Sequence, residues 1–370
     1  MTELYLHIPF CKKKCFYCNF CSIPSQSVPD DYVRALVNEI RSYPQTTVNT
    51  VFFGGGTPSL LSPFQLEEII RAIVKTHRFL GQELTVESNP DTLTLEKLQA
   101  YKSLGVNRIS LGVQSLNDDI LLKIGRTHDS YTALKNIENA VSVFGNVNAD
   151  MIVGLPAQTQ TDVFNDINKL ISKGVTHVSV YSLMKEKGTK LYKMIESNQL
   201  TTPTDDETVN LYDTAFSVLK DNGYERYEIS NFSKSGYSCK HNSNIWQMGE
   251  YIGVGTSAHS FFNGKRYYNK NNIPDYVKNQ GLGQRVEEGS NTLQDRKIET
   301  VMLGLRTSLG VDLIKYKNTF GISFQDDFKD ELRDKEISTA CVMQKDRLTI
   351  KDEYLYISNY IIEKLLDRFL

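Results

Sequence analysis

No stretch of the sequence approaches the roughly 18 consecutive apolar residues that a membrane-spanning helix needs. Its opening, MTELYLHIPF, lacks the basic and long apolar segments of a secretory signal. These absences lead to the expectation of a cytoplasmic protein with no membrane span. Neither sign of charge is in excess: 42 basic residues against 44 acidic ones give a formal net charge of −2. No global field therefore draws nucleic acid or anionic lipid, and any polyanion site must be local. Cysteine is scarce, at six in 370 residues, which excludes a disulfide scaffold. Low-complexity tracts are missing too. What remains is an ordinary globular composition, 40% hydrophobic and 23% charged, enough to fill cores in two or three units of about 150 residues.

Up to residue 232, short apolar runs alternate with amphipathic stretches. Leu4 to Phe10, Thr50 to Gly54, Glu83 to Ser88, Arg108 to Val113, Asn148 to Val153 and His177 to Leu183 read as strands. Between them, Leu66, Ile69, Ile70, Ile73 and Val74 recur at helical spacing and put an apolar stripe on one face. Asp30 and Ser62 are expected as N-caps, and Gly81, Gly105, Gly145 and Gly174 as helix stops. Strand and helix repeated six times predict an α/β fold, a partial (β/α)6 barrel of TIM type over 1–232. A strand-like run, YERYEISNF, follows Gly223. Residues 233–290, rich in Gly, Ser and Asn up to about 275, are expected as an irregular connecting segment. Helical stretches from Gln294, an alternating run from Arg347 to Ile350 and a final helix from Tyr354 to Leu370 predict a small C-terminal α/β accessory domain, winged-helix-like, over 291–370.

Four of the six cysteines, Cys11, Cys15, Cys18 and Cys21, crowd into eleven residues. Zinc knuckles usually join two separated pairs, and no distant second pair exists here. The spacing Cys11-x3-Cys15-x2-Cys18 suits three thiolates around one cubic iron–sulfur cluster whose fourth iron stays open; a zinc knuckle or clustered free thiols are the alternatives. The loop directly follows the first strand, where barrel active sites form. Gly54, Gly55, Gly56 and Thr57 end the second strand, and glycines there suit either backbone contact with the polar head of an amino acid or a tight turn. Glu87, Gln114, Arg126 and Asp150 lie at or just past strands, as cavity-lining groups or surface polar residues.

The run LYLHIPFCKKKCFYCNF, Leu4 to Phe20, resembles the radical S-adenosylmethionine (SAM) superfamily. Within it, the run is similar to the branch holding oxygen-independent coproporphyrinogen III oxidase and the HemW-type heme chaperones. The resemblance implies a [4Fe-4S] cluster on Cys11, Cys15 and Cys18, with SAM chelating the open iron. It places Tyr5, Gly55, Gly56, Thr57, Glu87, Gln114, Arg126 and Asp150 around SAM, Arg126 toward the carboxylate and Gln114 and Asp150 toward the ribose. The decarboxylating oxidase has CxxxCxxCxC; here Phe20 takes the last position and Cys21 is displaced by one. The oxidase also has an N-terminal extension, whereas this chain begins just before the first strand. Both departures match the chaperone pattern.

The stretch Cys239 to Trp246, CKHNSNIW, resembles the HNxxYW signature of the chaperones, with Ile245 in place of Tyr. An imidazole or thiolate beside an indole can ligate and flank a haem, so His241 and Trp246 are expected at a haem site, with core packing as the alternative. His259, beside a glycine-rich bend, is a second histidine with that ambiguity. The resemblance implies a protein that takes haem as cargo and delivers it to apo-haemoproteins of respiration, with transient association with membrane proteins. The oxidase, an enzyme, is the alternative. Lys12, Lys13 and Lys14 read as a solvated loop, or as a docking patch for haem propionates or an acidic electron donor such as a flavodoxin.

Overall fold

The structure, a computed structural model, describes residues 2–289 and 291–369. The first half builds strands β1 (Thr2–Ile8), the two-residue β2 (Phe10–Cys11) and β3 (Ile23–Pro24), β4 (Thr47–Gly55), β5 (Arg78–Ser88), β6 (Arg108–Gln114), β7 (Val147–Val153) and β8 (His177–Ser182). β1, β4, β5, β6, β7 and β8 lie side by side in that order and all run parallel. Parallel strands need crossovers, and helices such as Asp30–Ser42, Pro63–Thr76, Ser130–Val143 and Gln160–Ser172 supply them. Covered on both faces, the central strands are buried almost throughout; every residue of β6 is. The expected barrel units are all present.

Details of the helix ends differ from expectation. Ser62 caps Pro63–Thr76 reciprocally with Gln65. Asp30, however, is the first helical residue after Pro29 and caps nothing; its carboxylate accepts from the Gln65 amide at 2.7 Å instead. Of the predicted apolar stripe, Leu66, Ile69 and Ile73 are buried while Val74 faces solvent. Gly81 stops no helix. It sits inside β5 at φ +67°, where two steps along β4, Val48 to Thr50, face four along β5, Phe79 to Glu83. The extra residues form a bulge that needs a left-handed position.

The larger correction concerns the segment after residue 232. The run after Gly223 splits into β9 (Glu225–Arg226) and β10 (Asn231–Ser233), antiparallel beside β8. The residues expected to be irregular form β11 (Glu250–Val254), β12 (His259–Phe262), β13 (Lys265–Asn269) and β14 (Arg285–Glu288). β11 pairs parallel with β1, and the rest continue antiparallel, giving a twelve-stranded sheet. Glycine here reflects close approach: a Cβ on Gly253 would stand 2.1 Å from the His259 carbonyl oxygen. Strands of four or five residues are also too short to show a period.

A second hydrophobic core, including Val301, Tyr316, Phe324, Phe328, Leu348 and Ile362, packs β15 (Val311–Asp312), β16 (Cys341–Gln344) and β17 (Arg347–Ile350) against short helices. Their sheet order is β15-β17-β16. The final helix starts at Ser358, after a 3-10 turn over Asp352–Ile357, and Leu370 lies outside the described residues. Among the described residues no helix is long and apolar enough to cross a membrane.

Candidate functional site

The cysteine loop leaves β1 at its carboxyl end, and pairing of β2 with β3 pins both sides of it. Within it, the Phe16 N–H donates to the Ile124 carbonyl at 2.9 Å. The Phe16 ring fills the space that a Cβ on Gly125 would need and sits 3.8 Å from the Lys190 ammonium. Cys11, Cys15 and Cys18 are all free thiols. They lie near one another: the Cys18 thiol is pushed up by burial, and the neighbouring Cys15 and Cys11 add to it. Among the described residues no trio of His, Cys, Asp or Glu stands preassembled around a metal position. Arg126 reaches Cys15 Sγ with its Nη1 at 3.4 Å. An all-sulfur donor set beside a guanidinium fits a soft, anionic iron–sulfur centre and suits a hard cation poorly.

Arg126 is not on a strand. It follows the helix Asp118–Lys123, which folds back so that Nη2 donates to the Gly112 carbonyl near the end of β6 and to Asn89 Oδ1 at 2.8 Å. Asn89 in turn donates to Thr57 Oγ1 at 3.1 Å. Thr57, Asn89, Arg126 and Cys15 thus form one connected rank across the strand ends. Asn89 was not expected; its only signal was its place just past β5. Gln114 ends β6 with φ +69°, unusual for a residue with a side chain.

The glycine run packs closely on β1. A Cβ on Gly54 would stand 2.8 Å from the Tyr5 ring, one on Gly55 2.6 Å from the His7 ring and one on Gly56 2.7 Å from the Phe10 carbonyl. The Gly55 N–H donates to Glu87 at 3.2 Å. Glu87 is held near Asp150; lost hydration first, then that like charge, push its pKa up to about 8. Asp150 accepts from Asn148 at 2.8 Å and Ser110 at 3.1 Å. Tyr5 meets His7 Nδ1 through its hydroxyl at 3.0 Å. Tyr5, Gly55, Gly56, Glu87, Arg126 and Asp150 all keep partial solvent access, whereas the strand cores around them are closed. The carboxyl ends of the strands therefore carry an open polar rim next to the thiols.

His241 lies at the opposite, amino-terminal end of the barrel strands. The N–H groups of Lys240 and His241 and the Cys239 thiol all donate to the Glu83 carboxylate, at 2.8, 3.2 and 3.3 Å. His241 Nδ1 is 2.8 Å from Thr50 Oγ1, and the Thr50 hydroxyl also contacts Glu3 Oε2. A carboxylate can only accept, so Thr50 donates to Glu3 and accepts from Nδ1–H. That tautomer leaves the Nε2 lone pair free, and Nε2 has no partner. Burial lowers the His241 pKa to about 4, and the ring stacks on Phe52 at 5.0 Å. Five residues along a helix turn a side chain by about 140°, so Trp246, half-buried at the end of Lys240–Trp246, is on another face. His259 is exposed, stacked on Tyr268.

A chain of side chains joins the two ends through the barrel. Asp150 contacts Asn148, Asn148 Oδ1 meets His177 Nδ1 at 2.6 Å, and His177 Nε2 meets the Tyr227 hydroxyl at 2.8 Å. That hydroxyl accepts the Cys239 N–H at 3.2 Å. Polar Asn148 and His177 among apolar strand residues were the available signal for it.

Comparison with known proteins adds the following. Residues 5–170 match the Radical SAM superfamily and residues 291–359 the HemN C-terminal domain. The chain is 34% identical to "Heme chaperone HemW" of Lactococcus lactis over 99% of its own length and 97% of that protein. It is 36% identical to the protein of the same name from Bacillus subtilis, over 90% and 91% of the two chains. It is 38% identical to the mouse "Radical S-adenosyl methionine domain-containing protein 1, mitochondrial" over 70% of this chain and 61% of that one. Among solved structures, coproporphyrinogen III oxidase (HemN) from Escherichia coli superposes with a TM-score of 0.86 at 20% identity, over all of this chain and 90% of the other. That likeness is one of fold.

Proposed function

The chain belongs to the family of the heme chaperone HemW, within the radical SAM superfamily, and on that premise we propose that it binds haem as cargo and passes it to apo-haemoproteins of respiration. The observation that carries this reading is the similarity to proteins of that name along nearly the whole chain. The family implies a [4Fe-4S] cluster and SAM. In this reading Cys11, Cys15 and Cys18 hold the cluster. The guanidinium of Arg126 offsets its negative charge, and Thr57 and Asn89 keep that guanidinium in place. Tyr5, Gly55, Gly56, Glu87, Gln114 and Asp150 form the rim that would receive SAM. Glu87, pushed up to about 8, stays protonated at neutral pH and can donate a hydrogen bond there. Together the two groups, when bound, supply one-electron chemistry at the strand ends.

His241 enters the reading as part of the haem signature, with a neutral ring and a free Nε2. It is buried, so contact with a macrocycle requires the segment from Cys239 to Trp246 to lift away from Glu83. We place the protein in the cytoplasm, with transient contacts to membrane-bound acceptors and an acidic electron donor at the lysine-bearing loop. The second reading, oxidative decarboxylation of coproporphyrinogen III, draws on the shared fold and on the match of residues 291–359 to the HemN C-terminal domain, and exposed Phe20 stands where the oxidase pattern has cysteine. The test is anaerobic reconstitution followed by parallel challenges with haem and coproporphyrinogen. A saturable Soret change without protoporphyrinogen is expected. Multiple-turnover release of carbon dioxide from coproporphyrinogen would overturn the chaperone reading.

A further inference from the structure

The cysteine loop also carries Lys14, Phe20, Cys21 and Ile23, which line a groove of their own beside Cys18. This groove, of about 750 Å³, opens between the loop and the turn leading into the helix Ile273–Lys278. Small-molecule sites run from ~300 to 1,000 Å³, so the groove is of cofactor size. Part of its wall is apolar: Phe20 is 71% exposed and Ile23 45%, and Ile273 and Val277 line the same opening, alongside Asn19, Ser22, Asn271 and Asn272. Large apolar groups left open to water on a loop between polar neighbours mark a surface meant to be covered. Two functional groups line the same groove, the Cys21 thiol and the Lys14 ammonium, while Asp31 is the acidic residue among the lining groups.

Cys21 lies outside the cluster spacing, and its thiol donates to Asn271 Oδ1, a bond that bridges the two walls. Lys14 Nζ donates only to the Phe20 carbonyl, at 3.0 Å, and is otherwise exposed. Lys12, by contrast, is paired with Asp91 at 3.3 Å, and Lys13 lies over the Phe16 ring.

We propose that this groove is a surface docking site for haem, with Cys21 as the iron ligand, Phe20 and Ile23 against the macrocycle and Lys14 on a propionate. The proposal rests on the haem-carrier reading and adds to it a place where cargo can bind without opening the barrel. The chemistry matches part by part. A ferric porphyrin has a flat apolar body, a soft-accepting iron and carboxylates at one edge; the groove offers a partly apolar wall, a thiol and an ammonium. On ligation the Cys21 S–H bond to Asn271 breaks, the proton passes to solvent, and sulfur donates its electron pair to ferric iron with no change of oxidation state.

The test is titration of the full-length, cluster-reconstituted protein with ferric haem, read by difference absorbance and by the ferrous–carbonyl spectrum, which distinguishes thiolate from imidazole ligation. In Cys21→Ser the thiolate signature should vanish while iron and sulfide content stay at the wild-type level. Val277→Arg, which fills the groove without touching a ligand, should weaken haem binding about tenfold or more. His241→Ala should keep the thiolate signature. If wild-type protein binds haem and both groove variants titrate like it, the groove is wrong and the carrier reading stands. Loss of the cluster in Cys21→Ser would also overturn the assignment, because Cys21 would then be a cluster ligand. A wild-type protein that binds no haem overturns the carrier reading and this site together.

Discussion

At the scale of single residues, the site depends on soft donors and on positions that admit no side chain. Cys15→Ser should abolish the cluster and its visible charge-transfer absorbance, because two thiolates cannot hold the cube. Cys21→Ser should leave about four irons per chain after anaerobic reconstitution, measured by iron assay. Gly55 is the strictest of the run Gly54, Gly55 and Gly56, combining φ +110° with the close His7 ring. Gly55→Ala should cost about 1–3 kcal/mol of stability, visible as a lower urea midpoint, and should displace the N–H that Glu87 accepts. Isothermal titration should then show weakened SAM binding. Undiminished affinity would remove the glycine run from the site.

At the scale of elements, the added strands are held to the barrel by a buried carboxylate. Glu39, on the helix Asp30–Ser42, accepts from the Tyr276 hydroxyl at 2.5 Å, the Asn269 amide at 2.7 Å and the Gly255 N–H at 2.8 Å. It thereby ties that helix to the end of β13, the turn after β11 and the helix Ile273–Lys278. Burial pushes its pKa up to about 7 from an ordinary 4.5. Between those values the folded state keeps a proton that the unfolded state releases, so stability falls as pH rises through this window. The contribution is fully present below about pH 4.5 and lost above about pH 7, on the order of 3 kcal/mol. Glu39→Gln should flatten that part of the pH profile of the urea midpoint. An unchanged slope in the variant would assign it to other carboxyls.

At the scale of the whole molecule, the two larger cores meet through polar contacts: Arg266 pairs with Glu299 at 2.6 Å, the Ser308 N–H donates to the Tyr227 carbonyl at 3.1 Å and Lys315 donates to the Gln247 carbonyl at 3.4 Å. Arg226 pairs with Asp352 at 2.9 Å, Glu228 and Thr307 form one bridge, and Tyr356 reaches Asp213. Phe324 is fully buried in the C-terminal core, between Tyr316 and Phe328. Phe324→Ala should cost that core about 3–5 kcal/mol. Hydrogen exchange should quicken over the segment from Val301 to Leu366 while β6 and β7 keep their protection. Equal loss of protection in both would mean the chain unfolds as one unit.

What the amino-acid sequence determined by itself was local and periodic. The six parallel strands show as apolar runs because both faces are buried, and Cys11, Cys15 and Cys18 show because one short loop supplies all three sulfurs. Ser62 was legible as a cap because its partner Gln65 is three residues away. Only the tertiary structure decided what depends on distant chain segments. β11 is a strand because β1 offers it an edge some 250 residues earlier in the chain, and Gly253 is there because β12 presses on it. His241 is neutral because it is buried, and it is held in that position by Thr50 and Glu83 from other strands, which no spacing around the histidine records. The groove beside Cys21 likewise has walls from residues 20–23 and 271–277. Periodicity and spacing report what neighbours in the chain do together, whereas burial, tautomer and cavity shape follow from packing between segments that meet only in the fold.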